Sequence, residues 1–236
     1  EQVLLARAQG LPIRYGFEWF QRFPVAIASR EAAGIAAPAD LAGHSVGVPM
    51  LEGASYIGLE ALLASAGLSD ADIDLTATGF TQVETLLTGQ VEAVVIYANN
   101  EPVQLAERGE VVNVIMVSDY ADLVSNGLIF NENRYTDDTA TLKAFVAAFS
   151  TALEYTIDNP DEAFEISKQY VEGLDDPEVE SIARQVLESS LPLWQAERLG
   201  ETTPESWGLT GEVLVNAGLL DPGQEIEGAY TNDLLP

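Results

Sequence analysis

The spacing of apolar residues predicts strands and helices that alternate through the middle of the chain. Short apolar runs bounded by turn residues predict strands, and apolar stripes with a period near 3.6 predict helices. Between residues 42 and 117 the predicted strands cover 45–49, 73–78, 91–97 and 111–117. Strand–helix alternation of this kind favours a largely parallel sheet flanked by helices. This stretch is long enough to form a small α/β domain by itself.

The pattern on either side of this stretch is different. A short helix within 1–10 precedes two predicted strands, at 12–17 and 24–29. The helix begins without an N-terminal capping residue, so we expect a segment before it. After a strand at 127–130, helices dominate. The helix predicted over 139–158 carries an apolar stripe, and three later starts pair a capping residue with proline: Asn159-Pro160, Asp176-Pro177 and Thr203-Pro204.

The charge of the chain excludes several classes of partner. Among 236 residues, 38 are Asp or Glu and 10 are Lys or Arg, which gives a net charge of −28. A chain this acidic repels the phosphates of nucleic acids and anionic membrane surfaces. No apolar run approaches the roughly 20 residues that span a bilayer. We therefore expect neither DNA, RNA nor lipid head groups as partners.

The chain is also poor in the residues that most catalytic and metal sites use. It has no Cys and a single His, His44, which lies in a turn that leads into a predicted strand. Thiolate nucleophiles and sulfur-ligated metals are therefore excluded, and a histidine-based acid–base centre would depend on this one residue. We expect no metal, no cofactor and no catalytic residues.

Two loops that follow predicted strands carry groups suited to a small ligand. Ser55 and Tyr56 lie in the loop after the strand at 45–49, where the next helix begins. Open α/β sheets bind ligands at the carboxyl ends of their strands, so the Ser55 hydroxyl and the Tyr56 ring are candidate contacts. The alternative is that Ser55 only caps the helix.

The second loop follows the buried strand at 91–97. It contains Tyr97, Asn99, Asn100 and Glu101, which together offer a ring face, two amides and a carboxylate. These groups suit the hydrogen-bonding edge of an aminopyrimidine or a uracil-like ring. The alternative is that Asn100 caps the next helix, with Glu101 in its first turn.

Three further candidates come from the regions outside the middle domain. Trp19 is a possible stacking wall with Glu18 as a neighbouring hydrogen-bond acceptor, although an aromatic cluster also suits a core. Asn126 precedes the strand at 127–130 and is a candidate hydrogen-bonding residue near a hinge. Trp194 and Trp207, in the helical half, are expected to pack in a core.

Several local motifs, in this order and spacing, resemble the periplasmic solute-binding proteins of ABC transporters. The similarity is to the branch related to thiamine-pyrimidine biosynthesis and sulfonate binding. The matching segments are 25–30, 34–35, 38–43, 45–48, 86–94 and 159–163. The resemblance implies an α/β, two-lobed, type II periplasmic-binding-protein-like clamp with mixed sheets flanked by helices. It implies one lobe of residues 1–36 and 118–236, lacking its N-terminal segment, and a second lobe of residues 37–117.

The resemblance also implies a function. The expected activity is extracytoplasmic binding, in the cleft between the lobes, of a small heteroaromatic vitamin or precursor, with delivery to an ABC permease. A thiamine pyrimidine precursor or riboflavin is expected, and sulfonates less so because Lys and Arg are scarce near the candidate residues. We expect a monomer, periplasmic or extracellular, with a lipid anchor on a preceding segment as one option. A sensor module and an enzyme related to pyrimidine synthesis are the alternatives.

Overall fold

The computed structural model describes residues 1–223 and 228–236. These residues form seven β-strands: β1 Ile13–Glu18, β2 Val25–Arg30, β3 Ser45–Val48, β4 Asp74–Ala77, β5 Ala93–Tyr97, β6 Val112–Met116 and β7 Gly127–Asn131. They also form nine α-helices: α1 Gln2–Ala8, α2 Gly53–Ser65, α3 Gln82–Leu87, α4 Glu101–Glu107, α5 Glu132–Asp137, α6 Thr139–Asp158, α7 Pro160–Ser167, α8 Pro177–Trp194 and α9 Pro204–Asn216.

The chain divides into two compact units, each built from separate segments. Unit 1 contains Phe23–Leu123 and Leu209–Leu219 together with Glu1. Unit 2 contains the remaining segments, Gln2–Arg22, Val124–Gly208 and Leu220–Pro236. The lobe limits expected from the sequence, at 36/37 and 117/118, stay a prediction.

Unit 1 is built on a five-stranded mixed sheet in the order β4-β3-β5-β2-β6. Strand β3 pairs in parallel with β4 and β5, as the alternation of strands and helices predicted. Strand β2 pairs antiparallel with β5 and β6 in the interior of this sheet. Its first four residues are completely buried. A strand with neighbours on both edges and cover on both faces is buried on both sides, which explains why its sequence is an uninterrupted apolar run.

Helix α2 packs closely on this sheet. Leu59, Leu62 and Leu63 of the helix are fully buried. Gly58 has no side chain at the point of closest approach, where an added Cβ would lie 2.9 Å from both Phe23 and Val25. The glycine therefore sets how near α2 approaches β2, and with it the position of the helix start beside the carboxyl end of β3.

Unit 2 combines a two-stranded antiparallel sheet, β1 with β7, and a helical layer. Helix α6 covers Thr139–Asp158, and α7, α8 and α9 begin at the prolines that the sequence indicated. Only the start of α9, up to Gly208, belongs to unit 2, and the rest of the helix belongs to unit 1. Asp176 caps α8 by accepting hydrogen bonds from the N–H groups of Glu178 and Val179. Asn159, expected to cap α7, makes no side-chain capping bond.

Trp207 is the largest fully buried side chain of unit 2. Its ring stacks on Tyr230 with centroids 5.1 Å apart and meets the edge of Tyr15 at 5.4 Å. Its indole N–H donates to the Thr202 hydroxyl at 3.0 Å. Trp207 therefore packs in a core, as expected. Among the described helices, none combines the length and the apolar character that a membrane span needs.

Candidate functional site

The carboxyl ends of three parallel strands lie side by side at one edge of the unit 1 sheet. Strand β3 is central, with Val48 aligned to Ala77 of β4 and Gly47 aligned to Val94 of β5. The ends of these strands, the loops that leave them and the first turns of the helices that follow carry six of the nine residues that the sequence singled out. We call this part of unit 1 the carboxyl edge.

The loop after β3 leads directly into α2. The helix begins at Gly53, which has a φ of 75°, and Glu52 at its N-cap makes no side-chain capping bond. Ser55 therefore lies inside the first turn and does not cap the helix, so the capping alternative for this residue is not what the structure adopts. The first N–H groups of α2 and the Ser55 hydroxyl are both positioned at the carboxyl edge.

Tyr56, the next residue of α2, has its hydroxyl engaged within the helix. It bonds to the Glu60 carboxylate one turn further along. Burial raises the pKa of Tyr56 to about 12, and the charges of Glu60 and Asp70 act in the same direction. Burial, followed by the charge of Asp70, also raises the pKa of Glu60 above its usual value. The phenol is therefore protonated at neutral pH and anchored to Glu60.

The loop after β5 is held by its own hydrogen bonds. The Tyr97 N–H donates to Glu101 Oε2 at 2.8 Å, and Asn100 Nδ2 donates to Glu101 Oε1 at 3.4 Å. Gln104 Nε2 donates to Asn100 Oδ1 at 3.1 Å, and Asn100 makes no side-chain capping bond to α4. Tyr97, Asn99, Asn100 and Glu101 are thus brought together at the carboxyl edge, all partly exposed.

The carboxyl edge also presents apolar side chains that the sequence analysis missed. Met50 and Leu51, after β3, are 43% and 54% exposed, and Phe80, after β4, is 78% exposed. We call these three residues the apolar strip. The signal in the sequence was an apolar residue placed beyond the end of a strand, beside turn residues, where no core position is expected.

The basic residues of unit 1 are both ion-paired. Within the described chain, unit 1 contains two Lys or Arg residues, Arg30 and Arg108. Arg30 Nε lies 3.4 Å from Glu110 Oε2, and Arg108 Nη2 lies 3.0 Å from Glu84 Oε1. Neither guanidinium is free of a carboxylate partner, so the carboxyl edge has hydrogen-bonding and apolar character without an uncompensated positive charge.

The other three predicted residues are brought together in unit 2. Glu18 and Gly127 are paired residues of β1 and β7, which places Glu18 beside the turn that contains Asn126. Glu18 is 7% exposed, and its Oε1 accepts a hydrogen bond from the Ser125 N–H at 2.7 Å. The Asn126 carbonyl accepts from the N–H of Trp19 at 2.9 Å, while the Asn126 side chain is exposed. The Glu18 carboxylate therefore holds this turn in place.

Trp19 belongs to an aromatic cluster. Its ring lies 5.2 Å from Phe20, 5.5 Å from Trp194 and 6.0 Å from Phe149, measured between centroids. Trp194 is 9% exposed, which agrees with the packing role expected for it. The indole N–H groups of Trp19 and Trp194 are buried without a hydrogen-bond partner among the described residues. Trp19 is partly exposed, so a stacking role stays a prediction.

His44 lies at the opposite edge of the unit 1 sheet. It precedes β3, and its Nδ1 is 3.2 Å from Glu92 Oε2, which also accepts from the Ser45 N–H at 3.1 Å. The Ser45 N–H, followed by His44, lowers the pKa of Glu92 below its usual value. A strand of four residues separates His44 from the carboxyl edge, about 13 Å at the rise of a β-strand. Ser45 and His44 therefore share a carboxylate and do not form a Ser–His pair.

A cavity of about 250 Å³ lies elsewhere, in unit 2. It is lined by Glu154, Ile157, Asp158, Gln195, Ala196, Glu197 and Leu199. Sites for small organic ligands are mostly apolar with a few convergent polar groups, whereas three of these seven residues are acidic and none is aromatic. The candidate site is therefore assigned to the carboxyl edge. Within the described chain, no group of three or more His, Asp or Glu residues is arranged to hold a metal ion.

The sequence is similar to known solute-binding proteins. Residues 1–163 match the family described as NMT1/THI5 like. The riboflavin-binding protein RibY of Chloroflexus aurantiacus is 37% identical over 243 residues, which cover 99% of this chain and 68% of that protein. The formylaminopyrimidine-binding protein of Halalkalibacterium halodurans is 31% identical over 135 residues, covering 55% of this chain and 40% of that protein.

The fold is similar to that of solved periplasmic binding proteins. The periplasmic aliphatic sulphonate binding protein SsuA from Escherichia coli matches 92% of this chain and 68% of its own, with a TM-score of 0.75 and 20% identity. The periplasmic-binding-protein-like fold expected from the sequence motifs is confirmed, as are its mixed sheets flanked by helices. The chain belongs to the NMT1/THI5-like family.

Proposed function

We propose that this protein is the solute-binding component of an ABC importer and binds a neutral heteroaromatic vitamin or precursor, with riboflavin as the first candidate. The observation that carries the proposal is the carboxyl edge of unit 1, where a hydrogen-bonded polar loop and the apolar strip follow neighbouring strands. Similarity to RibY over nearly the whole chain favours a flavin over a thiamine pyrimidine precursor. Location of the solute in a cleft between two lobes stays a prediction.

The electrostatics of the chain favour an uncharged solute. The net charge is −28, and both basic residues of unit 1 already neutralise glutamates. A phosphate or sulfonate would meet repulsion without a cationic partner, whereas amide and carboxylate side chains satisfy the imide edge of a neutral ring. Riboflavin is accordingly a better ligand than its phosphate ester, and a sulfonate is a poor one.

Transport, and not catalysis, is the activity that the site supports. His44, the single histidine, lies at the edge of the sheet opposite the candidate residues and is paired with Glu92. Solute binding with no covalent step needs only contacts that favour a ligand-bound state. We therefore propose a non-enzymatic, monomeric protein outside the cytoplasmic membrane, held there by a lipid anchor or free, that passes its solute to a membrane permease.

Calorimetric titration against a ligand panel tests the proposal. The panel contains riboflavin, flavin mononucleotide, formylaminopyrimidine, thiamine and taurine. We expect riboflavin to bind with a Kd well below 100 μM. A Kd of 100 μM corresponds to a binding free energy of about −5.5 kcal/mol. Flavin mononucleotide should bind more weakly because its phosphate adds negative charge. Absence of binding by every member below this limit would contradict the proposal.

A substitution in the polar loop tests the location of the site. Asn100→Ala removes an amide that bridges Glu101 and Gln104, so both the ligand contact and the loop that supports it are lost. We expect riboflavin affinity to fall at least fivefold. Asn133→Ala, an exposed position in the first turn of α5 in unit 2, is the matched control and should leave the affinity unchanged. Equal affinities for the two variants would exclude the polar loop from the site.

A further inference from the structure

The apolar strip is an unusual feature for a chain with this composition. Single exposed apolar residues are common at protein surfaces. Here Met50 and Leu51 follow β3 and Phe80 follows β4, two neighbouring hydrogen-bonded strands, so three well-exposed apolar residues lie at the same end of the sheet as the polar loop after β5. Exposed apolar residues grouped at one place on a surface are typical of binding sites.

The strip is held in place by its own backbone. The Thr78 N–H donates to the Val48 carbonyl at 2.8 Å, which fastens the loop after β4 to the end of β3. The Thr81 hydroxyl donates to the Thr78 carbonyl at 2.8 Å, and Gly79 between them adopts a φ of 63°. Phe80 therefore lies in a turn that is held by hydrogen bonds, and its side chain is 78% exposed. The backbone of this turn is therefore ordered before a ligand arrives, so the entropy lost at Phe80 on binding is that of its side chain alone.

The order of the strands sets the size of the ligand that fits. The loops at the carboxyl edge follow the strand order. Phe80 comes after β4, Met50 and Leu51 come after the neighbouring β3, and the loop of Asn99 to Glu101 comes after β5. Neighbouring strands are about 4.8 Å apart, so β4 and β5, which lead to the apolar and polar ends of this row, are separated by roughly 10 Å. A single pyrimidine ring reaches only part of this span, whereas a linear three-ring heterocycle covers it.

We infer that the apolar strip is the specificity determinant of the site and selects fused-ring ligands with one hydrocarbon end and one hydrogen-bonding end. The benzenoid ring lies on Phe80, Met50 and Leu51, and the imide edge faces the loop of Asn99 to Glu101. This inference rests on the proposed function, since it assigns the ligand class of the same site. It distinguishes isoalloxazines from one-ring pyrimidines by an apolar contact that only the larger ligand makes.

Paired ligands measure the contribution of the strip. Lumichrome has the three-ring system of a flavin, and lumazine has the imide edge without the benzenoid ring. Phe80→Ser and Leu51→Ser should weaken riboflavin and lumichrome at least tenfold and leave lumazine within twofold of the parent chain. Phe145→Ser is the control, because Phe145 on α6 of unit 2 is also well exposed, at 60%. It should change none of the affinities.

The outcomes separate this inference from the proposed function. If the parent chain binds riboflavin and the Phe80→Ser and Leu51→Ser variants bind it equally well, the inference is wrong and the proposed function stands. The same conclusion follows if formylaminopyrimidine binds and flavins do not. If no member of either ligand set binds, both are wrong. Circular dichroism of each variant identifies any loss of affinity that arises from unfolding.

Discussion

Glu18 provides the sharpest test of how unit 2 is held together. The sequence suggested this carboxylate as a ligand contact, whereas the structure buries it and directs Oε1 to the Ser125 N–H at 2.7 Å. Glu18→Ala removes the acceptor and leaves that buried N–H unpaired. We therefore expect loss of stability, with Glu18→Gln largely preserving the contact because the amide oxygen also accepts.

The magnitude follows from the contacts of this one side chain. A hydrogen bond to a charged group contributes about 1.5–3 kcal/mol, and loss of one buried methylene adds about 0.8 kcal/mol. Release of a charged group from a buried position acts in the opposite direction. The expected decrease in the free energy of unfolding is about 2–3 kcal/mol for Glu18→Ala. It is about 1 kcal/mol for Glu18→Gln, in which a neutral hydrogen bond replaces the charged one.

Urea denaturation, monitored by circular dichroism, measures these decreases in the free energy of unfolding. Each appears as a lower urea concentration at the unfolding midpoint, with an unchanged slope of the free energy against urea concentration. Glu188→Ala is the matched control, because Glu188 is exposed on α8 of the same unit. It should change the free energy of unfolding by less than about 0.5 kcal/mol, as is usual for surface substitutions. A decrease for Glu18→Ala no greater than that of the control would refute the structural role of this carboxylate.

Two further predictions concern charge. Burial, followed by the charge of Asp70, raises the pKa of Glu60 in the folded chain. Between the ordinary Glu pKa and this raised pKa, the folded chain therefore binds more protons than the unfolded chain, and the free energy of unfolding falls as the pH rises. The free energy of unfolding of Glu60→Gln, relative to that of the parent, should therefore be higher at pH 7 than at pH 4. An equal difference between variant and parent at the two pH values would contradict this. The net charge of −28 should make the parent more stable in 1 M than in 0.05 M NaCl, because the Debye length shortens from above 10 Å to about 3 Å and self-repulsion is screened. A melting temperature that does not rise with salt would exclude net repulsion as the dominant electrostatic effect.

Local chemistry explains why most elements were predictable. Proline after a capping residue marked the starts of α7, α8 and α9, because proline lacks the N–H that a first helical turn leaves unpaired. The bounds of α6 followed from its apolar stripe. The motifs shared with the family depend on the same local order, which is why the fold and the family were both evident from the sequence.

Contacts between distant residues explain what was not predictable. The sequence described β2 as a buried strand, but only its hydrogen bonds to β5 and β6 assign it to the interior of the unit 1 sheet. Helix geometry decided that Ser55 and Asn100 make no capping bonds, since α2 begins two residues before Ser55 and Asn100 bonds to Gln104 instead. Such choices depend on which partners the fold brings within reach.

The sequence by itself determined most of the elements, the family and the charge of this protein, because each depends on neighbouring residues or on composition. Only the tertiary structure decided which side chains are covered. Glu18 is buried beside a turn more than 100 residues away in the chain, whereas Phe80, beyond the end of β4, stays 78% exposed. Which side chains are buried in structural contacts and which stay exposed therefore follows from packing, because packing brings together residues that are far apart in the sequence.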